Sequence, residues 1–567
     1  HDYRDRNRAY FSPSYVPASP TNPTSRNRGI NERSTRGLWD LQSFLNFSKS
    51  IRDHSISAMA GVSLEETTYN SNYRNKYDYP HNLLNTLNQA TTVLNQQNDV
   101  RTNKSSESMV GTFARASYNY KSKYYVTGSI RRDGSSKFGP ENRWAIFPSF
   151  SVAWRISDER FMSVFSSFLS DWKLRSGWGK IGNSGISNYL YASTLAASSY
   201  LFDRGSEIAP AYYNNKISND QLGWETTSDF GIGTDVGFFD GRVNLTVDYF
   251  DRTTNDMLFS LPLPATTGFS SVVLNLGSMK NRGFEYLVNT RNLVGKFNWS
   301  TTATLSYYRN YVTDIGNDKR PIIDNLGYTT EGRPIANLWG MLMLGPYRDW
   351  EDVKSSPIFN ASRPTARQRS YPGSPKAADV NGDGVLDAND KTVLGTPTPD
   401  FIWGLRNNFS YGNFFLSVML NGVQGGTRIY GGNYTNIMYY AQGRTNTTYE
   451  YFDNYWREDN PNAKYPAPNR KSYDQPQTEG GLVFDASFLK IDNINFGYNV
   501  PSQYLSRASI SSLRLYFNID NAFIWAADPG YNPESNYTGD NPKSQGVDRS
   551  GAYPLSRVFS FGINIEL

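Results

Sequence analysis

The sequence predicts an all-β fold, an antiparallel transmembrane β-barrel, on three observations. Apolar and polar residues alternate with period 2 from residue 38 to the last residue, with almost no segment of helical period. The alternating segments run about 9–12 residues, enough for a tilted strand to cross a bilayer and longer than the ~5–6 usual in a soluble sandwich. The connectors are short and long in strict alternation, the pattern of tight turns on one side of a membrane and large loops on the other.

Taken in order, residues 1–37, rich in Ser, Pro, Asn and Arg, read as an extracellular loop tail, and 38–567 as barrel. Segment 38–47 puts Trp39, Leu41, Leu45 and Phe47 on one face, and 55–65 does the same with Ile56, Ala58, Ala60, Val62 and Leu64. In 110–120, Ala114, Ala116, Tyr118 and Tyr120 lie opposite Arg115, Ser117 and Asn119; 124–132 follows. Phe150, Val152, Trp154 and Ile156 mark 147–156, and Trp172, Leu174 and Trp178 mark 171–179. Segments 228–238, 243–252, 283–292 and 297–307 keep the period, the last through Phe297, Trp299, Ala303, Leu305 and Tyr307. Segments 401–410, 414–424, 488–498, 512–521 and 557–567 complete fifteen strands. The long connectors are 66–109, 133–146, 180–227, 253–282, 308–400, 425–487 and 522–556; the short ones include 121–123, 157–170 and 239–242. A closed barrel with both ends on the periplasmic side needs an even number of strands. Fifteen is odd, so an odd number of strands is expected upstream, with residue 1 inside an extracellular loop.

Composition narrows the function. The 567 residues are 38% hydrophobic, 15% aromatic and 19% charged, and no apolar run approaches the ~18 residues of a spanning helix. So many aromatic residues argue against disorder. The net charge of +5 is dispersed, with no concentrated basic face, so no nucleic-acid partner is expected. There is no cysteine, and only His1, His54 and His81 could serve histidine chemistry. Adjacent acids such as Glu65–Glu66 and Asp158–Glu159 point to opposite faces of a strand, so they form no acid–base pair. The protein is not expected to be an enzyme.

Several ordered segments resemble the SusC/RagA family of TonB-dependent outer-membrane transporters. They are Arg131-Arg132-Asp133-Gly134-Ser135-Ser136-Lys137-Phe138-Gly139-Pro140 with Phe147-Pro148-Ser149-Phe150, then Asp171-Trp172-Lys173-Leu174-Arg175 leading to Gly179-Lys180-Ile181-Gly182-Asn183. Leu222-Gly223-Trp224-Glu225, Asn281-Arg282-Gly283-Phe284-Glu285, Ser487-Phe488-Leu489-Lys490 and the closing Tyr553-Pro554-Leu555-Ser556-Arg557 continue the series. The resemblance implies a barrel of about 22 strands around an N-terminal plug, in the bacterial outer membrane. It also implies import of a bulky nutrient, an oligosaccharide or oligopeptide, with a SusD-like lipoprotein as lid and the TonB complex acting through the plug. On this resemblance the plug and the first strands are expected to lie outside this sequence. From a different class, a secreted or surface glycan-binding or structural β-protein without transport remains the alternative.

One motif has its own chemistry. Asp379, Asn381, Asp383, Asp387 and Asp390 fall at positions 1, 3, 5, 9 and 12 of a loop spanning 379–390, with Gly384 at position 6 and the Val385 carbonyl available at position 7. That is the oxygen spacing of an EF-hand-type loop, so a structural Ca²⁺ in the 308–400 connector is expected. Loop aromatics Trp339, Tyr439, Tyr440, Trp456 and Trp525 are candidates for stacking on sugar rings or on a lid.

Overall fold

In the computed structural model the described residues are 2–12, 27–77, 79, 87, 100–202, 207–316, 319–324, 326–359, 370–430, 447, 449–468, 483–506, 510–528, 530, 532–536, 541, 543–548 and 554–566. One sheet of sixteen strands dominates, and its spatial order follows chain order throughout. Its first half is β1 (Asp2–Ser12), β2 (Arg28–Ile51), β3 (His54–Tyr77), β4 (Val100–Tyr120), β5 (Tyr124–Ser135), β6 (Trp144–Arg155), β7 (Leu169–Asn183) and β8 (Glu225–Phe238). The second half is β9 (Val243–Asn255), β10 (Ser278–Leu293), β11 (Phe297–Asp314), β12 (Phe401–Tyr411), β13 (Phe414–Gln424), β14 (Phe488–Asn499), β15 (Ser512–Ala526) and β16 (Val558–Glu566). All fifteen strands read from the sequence are present as β2 to β16.

The count of fifteen is corrected to sixteen. Strand β1 lies within the stretch read as a loop tail and pairs with β2 from Asp2↔Leu38 to Ser12↔Arg28. Its residues Tyr3-Arg4-Asp5-Arg6-Asn7-Arg8 carry no apolar alternation, because neither face needs an apolar environment. Cross-strand polar pairs hold it, such as Arg33 with Asp5 at 2.7 Å. The odd count that called for an odd upstream complement no longer stands.

Strand ends are corrected in the same way. Strands β3 and β4 stay in register from His54↔Tyr120 to Arg74↔Val100, so about half of the expected 66–109 loop is ladder. Beyond Glu65 both faces become largely polar, and side-chain hydrogen bonds are added to the backbone ladder. Arg28 donates through Nε to Asn75 at 2.8 Å and through Nη2 to the Tyr73 hydroxyl at 2.9 Å.

The chain divides into two compact units. In the first (His1–Val152, Gly177–Asp229, Thr254–Leu276), the buried core is small: Phe138, Phe147 and Trp224, with the Trp224 ring 4.8 Å from Phe138 and 5.4 Å from Phe147. In the second (Ala153–Ser176, Phe230–Thr253, Gly277–Leu567), the expected 308–400 loop is itself folded. Ile322–Asp324, Gly327–Thr329, Asn337–Met341 and Lys391–Gly395 form a four-stranded sheet. Leu338, Ile429 and Val547 make one buried cluster, and Met341, Ala377 and Leu386 another.

Candidate functional site

Strand parity sets the first feature. On β2, Trp39, Leu41, Leu45 and Phe47 share a face and all are exposed, Leu45 at 83%. Register carries the same face across the neighbouring strands. Phe47 lies opposite Ala58, Ala58 opposite Ala116, and Ala116 opposite Gly128. Ile130, Phe150, Val152, Leu174, Phe230, Ile232, Phe284 and Leu305 are likewise exposed on their strands, and β16 presents Phe559, Phe561, Ile563 and Ile565. In a soluble sandwich this alternating face would be the buried core. Here it is exposed, a surface that needs hydrocarbon around it.

The opposite parity carries charge, and the charges pair across strands. Arg175 on β7 donates from Nε to Asp235 on β8 at 3.1 Å and from Nη2 to Asp248 on β9 at 2.7 Å, while Thr246 donates to Asp235 at 2.8 Å. Lys280 on β10 also meets Asp251 on β9 at 2.8 Å, but on the parity shared by Tyr249 and Phe284, beyond those rings toward the 253–282 connector. Arg155 reaches Asp171 on the next strand at 3.0 Å, and Arg131 holds Asp133 of its own strand at 2.7 Å and Ser63 on β3 at 2.9 Å. A Cβ at Gly233 would come within 2.8 Å of the Arg175 guanidinium carbon, so the bare strand backbone there is what lets the guanidinium lie flat. Of the basic residues on this face, Arg131, Arg155 and Arg175 are therefore knitted into the wall, while Arg115 is exposed beside Met59 and Ser129 in register.

The 379–390 segment has the backbone turn that its spacing requires. Asp379 accepts from the backbone N–H of Gly382 at 2.7 Å and of Gly384 at 2.9 Å, and both glycines have positive φ, 75° and 81°. Asp383 accepts from Val385 N–H at 2.8 Å, Asn381 from Asp383 N–H at 2.9 Å, and Asp387 from Asn389 N–H at 2.7 Å. Asp390, fully buried, ties the two ends by accepting from Val380 at 2.9 Å and from Asp387 at 2.8 Å. Val385 and Leu386 pair in parallel with Ile358 and Phe359. The structure thus gathers the six predicted residues in one turn. Among the described residues, no three His, Cys, Asp or Glu side chains lie close enough together to hold a metal.

The other singled-out residues have local partners. Trp339 stacks on Tyr328 with centroids 4.1 Å apart, the Trp456 indole N–H donates to the Arg348 carbonyl at 3.1 Å, and Trp525 is exposed beside Phe523. Glu66 accepts from the Trp39 indole at 3.0 Å, and His54 Nδ1 lies 2.7 Å from the Tyr118 hydroxyl. His1, His81, Tyr439 and Tyr440 lie outside the described residues. Sequence reasoning missed the ionic hub at Arg428, 3.5 Å from Asp528 and 3.6 Å from Asp548, because the arginine lies 100 and 120 residues from its partners with no local pattern.

The comparisons agree with this geometry. Residues 1–340 match the family described as "TonB dependent receptor-like, beta-barrel". The chain is 31% identical over 540 residues to TonB-dependent receptor P3 of Formosa agariphila, covering 93% of this chain and 52% of that protein. It is 27% identical over 480 residues to TonB-dependent receptor SusC of Bacteroides thetaiotaomicron, covering 81% of this chain and 44% of that protein. The chain therefore spans about half the length of these relatives. Its fold matches the structure of the RagAB peptide transporter with a TM-score of 0.80 at 23% identity, over 99% of this chain and 59% of that one. With residues 1–340 matched and the strand faces arranged for lipid, the chain belongs to the TonB-dependent receptor β-barrel family, of SusC/RagA type, and is an outer-membrane protein.

Proposed function

We infer that this chain forms wall and surface loops of an importer that carries a bulky nutrient, an oligosaccharide or oligopeptide, across the outer membrane. A SusD-like lipoprotein would close it from outside, and the TonB complex would drive it through a plug. The observation that supports this reading is the two-sided character of the strands: their apolar residues stand exposed in rows while charges of the other parity pair with one another. Passage of solute, rather than bond chemistry, is what such a wall serves. A secreted glycan-binding protein has no use for the exposed row on β16.

The test is uptake in cells that make or lack the full-length protein, with fluorescent oligosaccharides and oligopeptides above porin size, with and without a protonophore. Import reading requires uptake that depends on both the protein and the proton-motive force. Protonophore-insensitive uptake would mean a passive pore, and surface binding without entry would mean the glycan-binding alternative. Affinity purification of the full-length protein from membranes reads the lid, as a co-eluting lipoprotein.

We also propose that the 379–390 turn takes one structural Ca²⁺. The ligand spacing and the glycines at positions 4 and 6 support it. Coordination requires the Asp379, Asp383 and Asp387 carboxylates to turn toward a common centre. Elemental analysis of purified protein is expected to find about one calcium per chain, lost in Asp383→Ala together with protease resistance of residues 308–400. Equal metal content in the folded wild type and variant would refute the site.

A further inference from the structure

The connector between β6 and β7 is not a tight turn. It holds two 3-10 helices, Ile156–Asp158 and Arg160–Phe165. Burial divides them into two sides: Ile156 and Met162 are buried, whereas Phe161 (60%), Val164 (79%), Phe165 and Phe168 are exposed. From Phe161 to Ser170 there is no charged residue, and Arg160 is exposed at the start of this run. A connector standing in water has no reason to concentrate that much bare apolar surface on one side.

Its backbone is also paired in a way that water would make unnecessary. Ser163 Oγ donates to the Arg160 carbonyl at 2.8 Å, and Ser166 Oγ donates to the Ser163 carbonyl at 2.8 Å. Backbone bonds run from Met162 N–H to Glu159 O at 3.0 Å, from Phe168 N–H to Phe165 O at 3.1 Å, and from Phe239 N–H to Phe168 O at 2.8 Å. The last seats the connector against the β8–β9 turn. In that turn Phe239 is held at φ 54°, a left-handed conformation that disfavours a bulky side chain, and its ring is exposed. Polar backbone satisfied from within and an apolar outer side are the two requirements for residence in an acyl environment. Both belong to the β6–β7 connector, and the β8–β9 turn adds the exposed Phe239 ring beside the charged Asp240 and Arg242.

We propose that Phe161, Val164, Phe165, Phe168 and Phe239 form an apolar foot sunk into the lipid at the short-turn, periplasmic side of the membrane, with the Arg160 guanidinium at the headgroup phosphates. The foot's occupant is phospholipid, in continuity with the lipid around the strands; it rests on the outer-membrane placement of the chain.

Single spin labels, each on one cysteine introduced into an otherwise cysteine-free background, test the foot directly. The full-length protein is labelled at Val164→Cys, Phe161→Cys, Ile232→Cys (strand face) and Lys354→Cys (water-exposed loop helix), then placed in phosphatidylethanolamine–phosphatidylglycerol nanodiscs. Labels at 164 and 161 should show an oxygen-to-nickel-chelate accessibility ratio at least ~5-fold above Lys354→Cys, approaching that of Ile232→Cys. A ratio at 164 and 161 equal to Lys354→Cys, with Ile232→Cys reading lipid, overturns the foot, and so does exclusion of both reagents, which means a protein covers it. A water reading at Ile232→Cys overturns the membrane placement and the foot with it.

Discussion

Strand β16 and the 308–400 loop region lie in the same compact unit and bury opposite things. On β16 the apolar side chains Phe559, Phe561, Ile563 and Ile565 are exposed. In the loops of that unit, Leu338, Ile429 and Val547 are wholly buried, with Leu326, Leu394 and Val483 packed against them. One chain is thus folded for two solvents. Strand segments satisfy their backbone by pairing and leave apolar contacts to the lipid, whereas the loops must build small cores of their own because water surrounds them.

Substitutions can break or sharpen that contrast. The largest effect is expected for Leu338→Asp, which puts a carboxylate in a closed apolar cluster and should cost about 3–5 kcal/mol locally, read as protease cleavage within 308–400 while the strands stay folded. Next, Phe561→Arg should lower folding efficiency into vesicles by about 2–4 kcal/mol if the ring meets hydrocarbon near the bilayer midplane, whereas Phe561→Leu should fold nearly as well as wild type. If Phe561→Arg proves neutral, the outward face of β16 is not in lipid and the contrast fails.

A smaller, pH-dependent effect is expected in the loop helix Trp350–Ser355. Burial opposes ionisation of Asp352, but hydrogen bonds from Lys376 Nζ at 2.7 Å and Arg348 N–H at 3.0 Å outweigh it, so this carboxyl titrates below the usual range. Its contribution to stability is complete above the ordinary carboxylate range near pH ~4 and is lost as pH falls below that. Lys376→Met should remove about 2 kcal/mol at neutral pH and flatten the acid limb of loop unfolding followed by limited proteolysis. The smallest effect belongs to Arg33→Ala on the exposed β1–β2 pair, expected to leave thermal melting almost unchanged and to shrink further in salt.

Legibility followed the same division. Fifteen strands could be read because lipid on one side forces a strict period of 2, as in Trp39, Leu41, Leu45 and Phe47. Strand β1 and the outer halves of β3 and β4 escaped notice because polar pairs such as Arg33–Asp5 serve on either face and leave no period. The spacing of the 379–390 residues was equally visible, since a turn is local, and the structure bears out the turn. The Arg175–Asp235–Asp248 network was not legible: its members are up to 73 residues apart and meet only because three strands lie side by side.

The sequence by itself determined which residues alternate, where the chain turns and that no helix could cross the membrane, because these depend on neighbours within a few residues. Only the tertiary structure decided that the apolar strand face is left bare, which charges neutralise each other and that the long loops carry cores. Those depend on register between strands distant in the chain, and register is set by the summed pairing of whole strands rather than by any one residue.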